Sequence, residues 1–180
     1  SLSRRFDGDL GPALLAGLAA HSVLDLGSAV TGGFGMLLGA LGPIMTRTAA
    51  EVADGLLVMP FHSRKHFVER TLPAVEEGLA RSGRSRADFT INPQAICAVG
   101  RTPEEQEVAD LGVRGLLAFY GSTPAYLPVL EVEGWADVQP ELNRLSKQGD
   151  WAAMFELVTD DMLETLAVRG TPEECAAEIQ

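Results

Sequence analysis

The sequence predicts an α/β protein with parallel strands and a helical C-terminal tail, and three observations carry that reading. Between Met36 and Val58 an apolar run, a small-residue turn, a stretch long enough for about three helical turns and a second apolar run follow without interruption. That is the pattern of a strand–helix–strand unit. From Phe89 to Val99 the chain alternates loosely, as a further strand would. Beyond Thr102 helix-start signals and helix breakers alternate to the end.

The first strand is the run Met36, Leu37 and Leu38, ending in the turn Gly39, Ala40, Leu41 and Gly42. Pro43 then stands at the first helical position, where its missing N–H would have no partner anyway. Gly55 releases the helix, and Leu56, Leu57 and Val58 form a short continuous apolar run of the kind buried on both faces. Ser63 is the N-cap of a helix reaching Ala80, with Val68, Leu72, Val75 and Leu79 on one face and a kink at Pro73. The segment Ser82–Ser85 breaks the chain, and Pro93 marks a bulge or end in the strand from Phe89 to Val99. Thr102-Pro-Glu-Glu105 and Thr171-Pro-Glu-Glu174 are capping boxes with proline at the first helical position. Between them, Thr123 to Leu166 forms three or four short helices broken at Gly134, Pro140 and Gly149.

Residues 1–35 are atypical. From Leu10 to Phe34 the chain is rich in Gly, Ala and Leu, with Asp25 its only acidic residue and no Lys or Arg. Three readings stand for it: a divergent or frame-shifted connector, an amphipathic helix around Pro12 to Val23, and a membrane segment from Leu26 to Thr46. The last has the small-residue spacing Gly35-x-x-x-Gly39. Its glycine content and the Gly42-Pro43 pair weigh against spanning, so no membrane partner is expected.

The net charge of −11 is unevenly placed: residues 1–100 hold nine acidic and nine basic side chains, and residues 101–180 hold sixteen acidic and five basic. A nucleic-acid module carries a basic face, so that class is disfavoured and no nucleic-acid partner is expected. The acidic half reads as a solvated helical surface. Cys97 and Cys175 have no framework spacing and read as buried or incidental thiols in a reducing compartment, the cytoplasm.

A strand-to-helix turn such as Gly39–Gly42 is an anion site, because free amide N–H groups and the positive end of the helix dipole point out of it. Gly42 lets a phosphate approach the backbone; alternatively the turn is simply a tight helix start. His62 and His66 lie four apart and would share a helix face, but the ligand set is incomplete, so no metal is expected. Phe119, Tyr120, Tyr126 and Trp135 either close over a substrate or seal the tail against the sheet. Nothing matches a catalytic triad, a Walker loop or a nicotinamide fingerprint, and no residue is assigned as catalytic.

The stretch Ala40-Leu-Gly-Pro-x-Met-x-Arg-x-Ala-x-Glu-Val-Ala-Asp-Gly55 resembles the segment between the sixth and seventh barrel strands of the luciferase-like flavin monooxygenase superfamily. Further matches run through Leu72–Arg84, Phe119–Tyr126, Leu142–Gly149 and Val168–Glu174. Together they are similar to a subfamily of deazaflavin (coenzyme F420)-dependent oxidoreductases over residues 36–180. The resemblance implies the C-terminal part of a TIM (β/α)8 barrel, about strands six to eight, with a helical tail. It also implies hydride transfer to or from a deazaflavin, with FMN as the alternative cofactor, and a small-molecule substrate.

In such barrels the site lies at the carboxyl ends of the strands. Two ends are present: Gly39, Ala40, Leu41 and Gly42, whose amides the resemblance places against the cofactor phosphate or ribityl chain, and Met59, Pro60, Phe61 and His62, followed by the basic Arg64 and Lys65. A complete barrel takes roughly 250 residues and this chain has 180, beginning at Ser1. The expectation is a fragment that self-associates as a homo-oligomer or is unstable alone. The alternative is a non-catalytic remnant or interaction module with residual phosphate binding.

Overall fold

The order of elements follows from where the chain can and cannot continue a helix. The computed structural model describes residues 35–179, so the readings of residues 10–34 lie outside the described residues. Met36–Gln180 form one compact unit. It opens with β1 (Leu37–Ala40), α1 (Pro43–Val52) and β2 (Gly55–Val58). Next come α2 (Arg64–His66), a π-helical stretch at Phe67–Thr71 and α3 (Leu72–Ser82), one continuous helical rod. β3 (Thr90–Pro93) pairs parallel with β2, which pairs parallel with β1.

The sheet buries one face. Ala40, Leu56 and Val58 pack with Ala49 and Ala50 of α1, Val75 and Leu79 of α3, and Phe89, while Leu38, Phe67 and Ile91 flank this cluster. Small residues set the spacing: a Cβ on Gly78 would stand 2.7 Å from Ala50 Cβ, so the glycine lets α1 and α3 approach closely. Arg84 closes the other end of α1 by donating to the carbonyls of Ala50 (3.3 Å) and Ala53. Those carbonyls belong to a helix C-terminus with no intrahelical donor left for them.

Three expectations for this part of the chain are corrected. Leu57 is only partly buried and Leu37 is 38% exposed, so these strands bury one face rather than two among the described residues. Gly55 is not a helix stop: α1 ends at Val52, and Gly55 begins β2, where a Cβ would come within 2.5 Å of the Leu37 side chain and of the Thr90 carbonyl oxygen. Pro73 causes a π turn instead of a plain kink. Leu72 N–H reaches back to Phe67 C=O, so Phe67 takes the inward place and Val68 is 52% exposed. Within Leu26–Thr46, a segment not expected to span a membrane, the described residues hold the strand Leu37–Ala40 and the start of α1 at Pro43. No described helix is long and apolar enough to cross a membrane.

The expected strand from Phe89 to Val99 is two strands in two sheets. β3 ends at Pro93, and β4 (Cys97–Val99) pairs parallel with β5 (Val168–Gly170). Cys97 is exposed and Cys175 buried. The tail between β4 and β5 is helical: α4 (Pro103–Ser122), α5 (Leu127–Glu133), α6 (Val138–Gln148), α7 (Trp151–Glu156) and α8 (Asp160–Leu166), with α9 (Pro172–Ile179) after β5. Both threonines cap their helices: Thr102 accepts from Glu105 N–H at 3.2 Å and Thr171 from Glu174 N–H at 3.3 Å, and Glu174 returns the bond from Thr171 N–H whereas Glu105 accepts from Arg101 N–H. Gly134 and Gly149 end α5 and α6 with φ of 84° and 71°, in the left-handed region that favours glycine. Pro140 does not break α6, since it lies in the first turn, where an N–H is not needed.

Candidate functional site

The two expected strand ends are neighbours. β1 and β2 run side by side with Ala40 opposite Val58, and Met59 N–H donates to Ala40 C=O at 3.4 Å. Gly39, Ala40, Leu41 and Gly42 therefore lie beside Met59, Pro60, Phe61 and His62 at the carboxyl edge of the sheet.

Gly42 is the N-cap of α1, with φ −73° and ψ 153°, and its carbonyl accepts the first helical bond from Thr46 N–H at 3.0 Å. Among the described residues no side chain caps the helix, and its first turn holds no acidic residue. Pro43 has no N–H, so the amides of Ile44 and Met45 are the donors at this end. Gly39 and Gly42 differ from the structural glycines. Neither has a positive φ, and a Cβ built on either meets nothing within 4 Å among the described residues. Neither backbone nor packing there demands glycine, and what both positions leave is space.

The residues of the second strand end are divided in their tasks. Phe61 is fully buried, its ring centroid 5.6 Å from that of Tyr120 and 5.9 Å from that of Tyr126. The aromatic group thus seals the tail against the sheet, and the Phe61 side chain faces the tail rather than an open site. Met59, Pro60 and His62 are half-buried. His62 Nδ1 and Met59 C=O are 2.6 Å apart, which makes Nδ1 the protonated nitrogen and leaves Nε2 as the acceptor. Burial lowers the His62 pKa, partly offset by that bond.

His62 and His66 do not share a helix face as expected. Ser63 between them is the N-cap of α2, so His62 precedes the helix. His66 is 2% exposed, and its Nδ1 has no hydrogen-bond partner among the described residues. Its pKa is lowered to about 4, chiefly by burial, then by the charges of His62 and Arg70. Lys65 is not free for an anion: Nζ donates to Val132 C=O at 2.5 Å. Arg64 is exposed.

Sequence reasoning missed the partners that hold this loop. The Ser63 hydroxyl donates to Glu133 Oε1 at the end of α5, 70 residues away, and accepts from His66 N–H at 3.0 Å. No local signal marks Glu133 for this role. A shallow groove of about 530 Å³ runs along α4, lined by Gln106, Asp110 and Arg114 among others, and includes no residue of the two strand ends.

The luciferase-like monooxygenase family model matches residues 36–180. An uncharacterised protein of Mycobacterium tuberculosis is 43% identical over 145 residues, which are 81% of this chain and 43% of that protein. A 5,10-methylenetetrahydromethanopterin reductase of Archaeoglobus fulgidus is 31% identical over 150 residues, covering 79% of this chain and 43% of the reductase. Among solved structures, the coenzyme F420-dependent tetrahydromethanopterin reductase of Methanopyrus kandleri matches with a TM-score of 0.64 and 26% identity, over 81% of this chain and 41% of that one. The chain thus spans less than half the length of the relatives it matches. With a parallel sheet, a helical tail and a family match over all but the first 35 residues, this chain belongs to the luciferase-like monooxygenase family.

Proposed function

We propose that residues 36–180 supply the last strands, about six to eight, and the helical tail of a luciferase-like barrel, and that the protein is an oxidoreductase transferring hydride to or from coenzyme F420. FMN is the alternative cofactor. One observation carries the cofactor site: Gly39 near the end of β1 and Gly42 at the N-cap of α1 leave open space beside an uncapped helix N-terminus at the carboxyl edge of a parallel sheet. A phosphate is the group such a place fits, since backbone amides and the helix dipole both favour an anion there. The relatives named for F420-dependent or methylenetetrahydromethanopterin reduction favour the deazaflavin.

When bound, the cofactor supplies the hydride chemistry, and the protein supplies binding, orientation and electrostatics. Ile44 and Met45 N–H groups hold the phosphate, and Gly39 and Gly42 give it room. The backbone of Met59, Pro60 and Phe61, with the His62 side chain, lines the neighbouring wall. His62, neutral at pH 7 by virtue of its burial, presents Nε2 as a hydrogen-bond acceptor. The acid–base groups and the substrate pocket belong to the part of the barrel outside residues 36–180. We place the protein in the cytoplasm and expect its barrel edges to be covered by further barrel strands or by a second copy.

Fluorescence titration with coenzyme F420, with FMN and with the dephosphorylated deazaflavin tests the reading. The expected order is F420 first, with the dephosphorylated form at least tenfold weaker, the cost of losing about 1.4 kcal/mol of phosphate binding. Equal affinity for the dephosphorylated form, or no binding of either cofactor, overturns it.

A further inference from the structure

The loop from Met59 to His62 is suspended between β2 and Ser63, and the tail grips it twice. On the apolar side the Phe61 ring lies against Tyr120 of α4 and against Tyr126, which precedes α5. On the polar side Glu133 accepts from the Ser63 hydroxyl, and Lys65 donates to the carbonyl of Val132, the neighbouring residue of α5. The two polar contacts are electrostatically matched. A carboxylate sits at the N-terminus of the Ser63-capped helix, and an ammonium group sits at the C-terminal carbonyls of α5. Ser63 is 1% exposed, so its hydroxyl has these protein partners in place of solvent. Among the described residues the loop has one backbone tie to the sheet, Met59 N–H to Ala40 C=O.

We infer that Glu133 is a positioning residue for the cofactor site: by holding Ser63 it fixes the loop Met59–His62 against the turn Gly39–Gly42, so the helical tail sets cofactor affinity without touching the cofactor. The inference rests on the cofactor-site reading above. A hydrogen bond to an ionised group is among the stronger single contacts, and a partner 70 residues away in sequence holds the loop only when the tail is docked. Loss of the Ser63–Glu133 bond loosens the loop at its downstream end, while Phe61 and the Lys65–Val132 bond keep the tail in place.

The test uses the full chain and coenzyme F420 titration, at a temperature where circular dichroism shows every variant folded. Glu133→Ala weakens binding about fivefold, the scale of one net hydrogen bond. Glu133→Asp keeps the charge, and withdraws the carboxylate from Ser63 by one methylene. It weakens binding similarly and serves if the alanine variant does not fold. Glu133→Gln retains an acceptor oxygen for the Ser63 hydroxyl but not the charge, so its affinity falls between those of the parent and the alanine variant. In a double-mutant cycle Ser63→Ala and Glu133→Ala are non-additive. Parent-like affinity in both Glu133→Ala and Glu133→Asp overturns the inference, as does a Glu133→Gln variant as weak as alanine. Failure of the parent itself to bind F420 condemns the cofactor reading instead.

Discussion

Replacing Gly42 by aspartate should make the protein more stable and abolish cofactor binding, two effects of opposite sign from one side chain. Gly42 already has N-cap geometry, at φ −73° and ψ 153°, and a Cβ there meets open space among the described residues. An aspartate fits without strain, and its carboxylate accepts from the Ile44 and Met45 amides left free by the absence of a capping side chain. The cap contributes a few tenths of a kcal/mol over glycine, and the dipole interaction about 0.3–1 kcal/mol more. The sum, about 0.5–1 kcal/mol, corresponds to a rise of roughly 2–3 °C in melting temperature for a domain of this size. The same carboxylate occupies the amides a phosphate needs and repels it. Two unit charges about 4 Å apart at an effective dielectric near 20 interact by about 4 kcal/mol, or nearly three decades of affinity. Calorimetric melting and F420 fluorescence titration on one preparation read both quantities. A melting temperature that rises while affinity stays put removes the phosphate from α1. A melting temperature that falls means Gly42 is held by a packing or backbone constraint.

Two further predictions concern stability. Because His66 folds with its pKa lowered to about 4 from 6.5, the unfolded chain binds more protons between these values, so stability is full above about pH 6.5 and falls as the pH drops toward 4. The loss is of order 2 kcal/mol, with His62 adding in the same direction; urea midpoints at pH 7 and pH 5 measure it, and a His66→Leu variant that keeps the parent's slope would exclude His66 as the cause. Arg84→Met keeps much of the stem packing but strips two carbonyls at the end of α1 of their donor, and should cost about 1–3 kcal/mol by chemical denaturation, whereas a change under about 0.5 kcal/mol would mean solvent replaces the guanidinium.

What was legible in the sequence was local. Pro43 behind a small-residue turn, the two capping boxes and the glycines at 134 and 149 each specify a backbone event through their own chemistry, and the elements form where those residues put them. Contacts between distant segments were not legible. β5 is three residues long, too short to show alternation, and exists because β4 lies beside it. Gly55 looked like a helix stop because glycine often is one, but its reason is the Leu37 side chain across the sheet. At the site, the strand-end turns could be read from their composition. The division of the second turn, Phe61 turned to the tail and Ser63 bound to Glu133, depends on α4 and α5 docking, which no local pattern encodes.

The π turn at Phe67–Thr71 gives the rod that follows β2 two independent phases. Each residue advances an α-helix by about 100°, so the extra residue in this turn rotates everything before it against everything after. Downstream, α3 presents Ala74, Val75, Gly78 and Leu79 to its neighbours; upstream, Ser63 and Lys65 meet α5. In an unbroken α-helix one of these two faces would miss its partner. The bulge thus acts as a coupling between two gears cut to different pitches, letting the sheet layer and the tail be repacked separately by mutation without one spoiling the alignment of the other.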